Sequence, residues 1–273
     1  MSEGHATWVY AITSDLDSAV LAGIEGIGGE PVRTLADNSL TAVIGSIDAD
    51  AFGEEAFERM LSDPGQVEVL ARAHHRVVEV VAGGSPVLPL RLATVYRNDD
   101  RVRALLKQRQ ARFAETLRWL TGRGECGVKV WADPAALATG RTGGEPAPAA
   151  PDPGPAAGGS HRPGHGAGAA YLSRRRAQLE ARADGRLRAA QRGEDIHGAL
   201  TGRAIAARQH PLQDPRLAGN QELMVLNGAY LVDAARMDQF AAYARAAVAD
   251  LARFRLDITG PWPPYSFADG PDG

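Results

Sequence analysis

Residues 134–166 constrain the fold most, because this stretch cannot build a packed core. Its 33 residues include 7 prolines, 8 glycines and 8 alanines, and Leu137 is its only large apolar side chain. Burying so little apolar surface does not offset the conformational entropy lost on ordering. We therefore predict a flexible linker over residues 134–167, which separates an N-terminal domain (1–133) from a C-terminal domain (168–273).

Composition excludes several classes of protein. The net charge of −3 is far from the strongly basic balance of most nucleic-acid-binding domains. Cys126 is the only cysteine, which excludes an internal disulfide framework and a cysteine-based zinc site. No apolar run approaches the ~20 residues needed to span a bilayer, and the first residues do not resemble a secretion signal. We expect a cytoplasmic protein that binds neither nucleic acid nor membrane.

The charges are distributed unevenly along the chain. Residues 1–66 carry 12 acidic and 2 basic side chains, whereas residues 67–133 carry 7 acidic and 12 basic ones. Residues 168–273 are slightly basic, with 12 acidic and 14 basic side chains. Opposite signs on two parts of a chain can align those parts or steer a partner. Solvated helix faces are the simpler interpretation, since an exposed ion pair contributes only ~0–1 kcal/mol.

The N-terminal domain alternates between strand and helix patterns. Asp63 before Pro64 is a typical helix start, and Asn98 caps a further helix. This order predicts an α+β sandwich, ferredoxin-like in its simplest form, with helices on one face of a largely antiparallel sheet. The predicted strands cover 7–12, 31–35, 40–44, 86–96 and 127–131, and the predicted helices cover 51–61, 64–82 and 99–121.

The C-terminal domain is predicted to be a helix-rich α+β unit. Residues 169–208 are rich in Ala and Arg and favour helix. Arg174, Arg175 and Arg176 near the start of this helix form either a solvated face or a contact for an acidic partner or a membrane surface. Further elements are a strand over 222–231, a helix over 234–251 and a closing strand over 254–259.

The chain ends in a tail that combines prolines with aromatic residues. Pro261, Pro263 and Pro264 exclude a helix or a central strand there. Three aromatic side chains lie between and after these prolines, and each gains ~1.5–3 kcal/mol on full burial. We predict that at least two of the three rings dock on the protein's own surface and bridge its two halves, with docking on a partner as the alternative. The rings are those of Trp262, Tyr265 and Phe267.

Several patterns resemble catalytic or ligand-binding motifs but lack the neighbouring secondary structure or the further residues that such motifs need. The glycines of 122–127 match a dinucleotide fingerprint, but they follow a predicted helix and precede a strand, the reverse of a phosphate site. His74 falls on the apolar stripe of its helix and His75 falls beside it, which favours a core histidine over a metal ligand. Glu125 and Lys129 share one face of a strand, as either an acid/base couple or, more simply, a surface ion pair. We predict no catalytic residue, cofactor or metal site.

Five strings of sequence together resemble one known family, the gas vesicle proteins GvpL/GvpF. The resemblance spans nearly the whole chain apart from the predicted linker, and the Gly-Pro-Trp-Pro-Pro-Tyr string of the tail is its most specific part. One departure is Leu92-Ala93, where the family often has Phe-Gly, and this exchange affects a bend that glycine would permit. The strings are residues 87–91, 125–130, 170–172, 226–233 and 260–267.

The resemblance implies an accessory or minor structural protein of gas vesicles, located at these shells in the cytoplasm. It also implies a modified ferredoxin-like first domain, no enzymatic activity, and partners among the hydrophobic major shell protein and other accessory proteins. Two other functions stay open: a ferredoxin-like protein that senses a small ligand, and an enzyme that uses Glu125 and Lys129. A sensor requires a pocket with converging polar groups, and an enzyme requires a strongly perturbed ionisable group in a cleft.

Overall fold

The computed structural model of the protein describes residues 4–49, 58–60, 62–133, 166–213, 222–249, 251 and 253–271. Nearly all of the predicted linker and most of the predicted helix over 51–61 lie outside these residues. The described chain forms two antiparallel sheets with helices between and around them, which confirms the predicted α+β class.

Five antiparallel strands form the first sheet. They are β1 (His5–Thr13), β2 (Arg33–Asp37), β3 (Leu40–Asp48), β4 (Val87–Pro89) and β5 (Val95–Tyr96). The order across the sheet is β2-β3-β1-β4, and β5 also pairs with β1. Between β1 and β2 the chain makes a 3-10 turn at Ser18–Leu21, where a ferredoxin-like unit has a full helix. The first half is therefore a modified version of that arrangement.

The strand predicted over 86–96 is interrupted in its second half. Residues 91–94 form a turn between β4 and β5, closed by the Thr94 amide on the Arg91 carbonyl at 3.2 Å. Ala93 adopts a φ of 71° in this turn, a left-handed conformation that favours glycine. The strand prediction missed this bend because alanine gives no signal for it, although the family resemblance had indicated a bend at Leu92-Ala93. This is the position at which the family resemblance would place a glycine.

The first half contains three described helices of eight residues or more. They are α1 (Pro64–Ala82), α2 (Asp99–Gln108) and α3 (Gln110–Leu120). As predicted, Asp63 and Asn98 accept hydrogen bonds from backbone amides in the first turns of α1 and α2. The single helix predicted over 99–121 is instead divided at Arg109, whose φ of −111° and ψ of 15° interrupt the helical backbone.

The second sheet is built from one strand before the predicted linker and three strands after it. The strands are β6 (Arg123–Ala132), β7 (Ala206–Gln209), β8 (Leu223–Asp233) and β9 (Phe254–Trp262), in the order β7-β8-β6-β9. The expectation that β6 completes the first sheet is wrong, because both of its neighbours, β8 and β9, come from the C-terminal half. Its alternation of polar and apolar residues predicted a strand but could not specify the partners.

Two helices cover the outer face of the second sheet. They are α4 (Gly166–Thr201) and α5 (Met237–Ala249). The helix predicted over 169–208 ends at Thr201, and its last predicted residues form β7 instead. The protein is consequently layered, with α1 on the outer face of the first sheet, α2 and α3 between the sheets, and α4 and α5 on the outer face of the second sheet. The prediction that the helices lie on one face of the first sheet is therefore wrong, because α1 covers one face and α2 and α3 cover the other.

Candidate functional site

The C-terminal tail, residues 261–271, continues directly from the edge strand β9. Pro261 and Trp262 are still part of β9. An edge strand tolerates proline, because on its unpaired side the backbone needs no N–H group to bond a neighbouring strand. Pro263 and Pro264 are buried, and Tyr265–Phe267 then form one 3-10 turn. The prediction that the tail is neither helix nor central strand is confirmed.

Phe267 occupies the core between the two sheets. Only 1% of its surface is exposed, and it belongs to the buried cluster that contains Leu88 of β4 and Leu231 of β8. Trp119 of α3 meets the Phe267 ring edge-on, with 6.2 Å between ring centroids. Because this cluster draws on both sheets, Phe267 joins the two halves of the protein.

Ser266 connects the tail to β6 through Glu125. The backbone amide and the hydroxyl of Ser266 each donate a hydrogen bond of 2.8 Å to the Glu125 carboxylate. The predicted surface pair of Glu125 and Lys129 is therefore wrong, since Glu125 is partly buried and its hydrogen-bond donor is the tail. Burial raises the pKa of Glu125, and the two hydrogen bonds from Ser266 offset part of that rise.

Tyr265 and Trp262 extend the contacts of the tail to α1. The Tyr265 hydroxyl lies 3.4 Å from Nδ1 of His75, and the Trp262 ring meets the His75 ring at 5.4 Å between centroids. Tyr265 is partly buried, which raises the pKa of its hydroxyl, whereas Trp262 is 39% exposed. The predicted docking on the protein's own surface is thus complete for Phe267 and partial for Tyr265 and Trp262, of which Trp262 is the more exposed.

An open cleft of about 560 Å³ lies beside Trp262, and we call it the seam cleft. Three segments line most of it: residues 82–87 between the end of α1 and the start of β4, residues 120–124 between the end of α3 and the start of β6, and residues 261–264 of the tail. The lining is largely apolar. At Gly84 a Cβ atom would meet nothing within 4 Å, so the cleft is freely accessible from that side. Both halves of the protein contribute to this surface.

The three arginines proposed as a second contact surface lie far along the chain from the tail, on α4. Arg174, Arg175 and Arg176 are all exposed, and Arg176 pairs with Glu180 at 3.1 Å on the same helix. The structure does not bring them together with the aromatic residues of the tail. Within the described ranges, no helix is both long and apolar enough to cross a bilayer.

His74 is a core residue, as predicted from its place on the apolar stripe. Nε1 of Trp8 donates a hydrogen bond of 3.0 Å to Nδ1 of His74, and Nε2 of His74 lies 3.0 Å from the Leu90 carbonyl. These partners assign a neutral ring with its proton on Nε2. Burial lowers the pKa of His74 to about 4. Its perturbed pKa thus follows from packing and does not mark a reactive site.

The glycine-rich motif over 122–127 has no phosphate-binding geometry. Gly122 forms the turn between α3 and β6, at a φ of 71°, and a strand follows it where a phosphate site requires a helix N-terminus. Cys126, within the same stretch, is buried, and burial raises the pKa of its thiol to about 11. Neither feature offers a reactive group to solvent.

Sequence reasoning missed the residues that hold the tail in place. Ser266 bonds Glu125 across 141 positions, and Tyr265 meets His75 across 190. His210 adds a contact of 3.2 Å from its Nε2 to the Ser266 hydroxyl. No local pattern links positions so far apart. The aromatic composition of the tail indicated that its rings are buried somewhere, but it did not indicate which residues they contact.

The comparisons with known proteins agree on one family. The family model described as "Gas vesicle synthesis protein GvpL/GvpF" matches residues 6–269. "Gas vesicle protein L" from Streptomyces sp. (strain CB03234) is 38% identical over 268 residues, which cover 98% of this chain and 94% of that protein.

Two solved structures share the fold. GvpF from Anabaena sp. PCC7120 has a TM-score of 0.66 at 18% identity, covering 97% of this chain and 96% of that one. GvpF from Microcystis aeruginosa has a TM-score of 0.64 at 16% identity, covering 96% and 98%. With the family match across nearly its whole length, the chain belongs to the GvpL/GvpF family of gas vesicle proteins.

Proposed function

We propose that the protein assists gas vesicle assembly by binding the hydrophobic shell protein at the seam cleft. The family gives the protein its role in gas vesicles, and the partner and the surface are our proposal. A shell subunit that buries its apolar surface only after assembly needs that surface covered beforehand, because exposed apolar segments and strand edges aggregate. The proposal includes no catalytic step.

The observation that carries the proposal is the exposure of Trp262 beside the seam cleft. Phe267 is 1% exposed and Tyr265 is partly buried, whereas Trp262 is 39% exposed and lines the seam cleft. Exposed aromatic residues beside an apolar depression are the usual anchors of protein interfaces. Buried Pro263 and Pro264 fix the backbone next to it, so little conformational entropy is lost when a partner binds.

Co-purification of the shell protein with variants of this chain tests the proposal. Trp262→Ala removes the partly exposed ring, and Gly84→Glu adds a charged side chain at a residue that lines the seam cleft, where a Cβ atom would meet nothing within 4 Å. We expect both variants to lose the shell protein while their circular dichroism spectra stay native. Ile205→Ala is the matched control, because Ile205 is similarly exposed at 46% and lies outside the seam cleft.

Two results would contradict the proposal. Retention of the shell protein by a folded Gly84→Glu variant would show that the seam cleft is not the contact surface. A wild-type chain that fails to retain the shell protein under any condition would remove the proposed partner altogether.

A further inference from the structure

The long helix α4 projects a basic segment beyond the second sheet. Residues 171–184, which we call the arm, are exposed except for Ala181, which is partly buried. Residues 171–192 contain seven arginines and two acidic residues. The arm also exposes apolar side chains, with Leu172 at 67% and Leu179 at 55%. A charged segment that also exposes leucines is typical of a surface that a partner covers.

The opposite side of the protein carries the complementary charge. The loop between β1 and β2, residues 14–31, contains four acidic residues and no basic one, and we call it the acidic loop. Asp15, Asp17 and Glu25 are exposed. Val20 in the same loop is 37% exposed, and Val69 on the neighbouring α1 is 66% exposed. Both surfaces therefore combine charge with apolar side chains.

The two surfaces lie on opposite outer layers of the fold. The acidic loop packs its apolar residues with α1 on the outer face of the first sheet, and α4 lies on the outer face of the second sheet. Two sheets and the layer of α2 and α3 separate them. The arm is exposed apart from Ala181, so its basic side chains are accessible to the acidic loop of another molecule.

We propose that the arm of one molecule binds the acidic loop of a second copy of this chain, so that copies join head to tail. Opposite charges on two different surfaces favour this heterologous contact. An arm-to-arm dimer would place arginines against arginines and is disfavoured. The inference does not depend on the proposed binding of the shell protein, because it uses neither the tail nor the seam cleft.

Sedimentation velocity of the full chain at about 20 mM and about 500 mM salt tests this contact, since salt screens exposed charges. We expect association at low salt that weakens at least tenfold at high salt. R174E/R175E/R176E and D15K/E25K should each be monomeric at low salt. A chain that carries all five changes should associate again, because both signs are reversed together.

A matched control separates the proposed contact from a simple effect of net charge. R101E/R103E/K107E reverses three exposed basic residues of α2 and should associate like the unmodified chain. The proposal is overturned if the unmodified chain is monomeric at low salt, if the arm variant still associates, or if the α2 control fails equally. It is also overturned if the chain stays monomeric while its arm binds vesicles of anionic lipid, which would make a membrane the partner.

Discussion

Replacing Phe267 with alanine tests whether the C-terminal tail holds the two halves of the protein together. Phe267 is 1% exposed and lies in the core shared by both sheets. Removing a buried phenylalanine ring costs about 3–5 kcal/mol, the sum of lost transfer free energy and the cavity left behind. Folded proteins are stable by only about 5–15 kcal/mol, so this single change should remove a large part of the stability.

The assay is thermal and urea denaturation followed by circular dichroism. For a protein of this size each kcal/mol lowers the Tm by about 2–4 °C, so Phe267→Ala should lower it by on the order of 10 °C. Tyr171→Ala is the control, because Tyr171 is 60% exposed on α4 and its removal should cost less than about 0.5 kcal/mol. Deleting residues 261–273 should cost more than Phe267→Ala, since it also removes the bonds from Ser266 to Glu125.

A loss of less than about 1 kcal/mol for Phe267→Ala would refute this reasoning. It would mean that the tail does not fill the core between the sheets in solution. The aromatic residues would then be free to act together as a contact for a partner. Trp262 would then be no more available to a partner than Tyr265 and Phe267.

Three further predictions concern individual residues, and a fourth concerns the segment 134–166. Burial lowers the pKa of His74 from 6.5 to about 4, so the contribution of the neutral ring to the free energy of unfolding is fully present above pH 6.5 and falls by about 3 kcal/mol as the pH drops towards 4. Urea unfolding across this range should show a loss of stability that His74→Gln lacks. The same dependence of stability on pH in both proteins would contradict this prediction. Ala93→Gly should stabilise the protein by about 0.5–1 kcal/mol by relieving the left-handed φ, as measured by urea unfolding. In the same assay Ala104→Gly, at an exposed position inside α2, should destabilise the protein by about 1 kcal/mol. Ser266→Ala should cost about 1–3 kcal/mol in the same assay, because the partly buried Glu125 carboxylate loses a donor; no loss would mean that water replaces the hydroxyl. Replacing residues 134–166 with a shorter Gly/Ser chain should leave the Tm nearly unchanged, and a drop of several degrees would show that this segment packs.

Much of the local structure was predictable because its signals are local. The cap at Asp63, the cap at Asn98 and the closing strand from Phe254 each follow from residues within a few positions of one another. The core position of His74 follows from the 3.6-residue period of α1. The same reasoning missed the turn at Ala93, where the backbone adopts a conformation that the residue type does not signal.

The sequence by itself determined the α+β class, most strands and helices, and the family to which the chain belongs. Only the tertiary structure decided that β6 joins the second sheet. It also decided that the Glu125 carboxylate accepts hydrogen bonds from Ser266 of the tail and does not pair with Lys129, and that Phe267 is buried while Trp262 is partly exposed. These outcomes depend on which distant surfaces meet, and Glu125 and Ser266 are 141 positions apart. Periodicity tells which face of an element is buried, but the identity of the covering partner depends on packing across the whole chain.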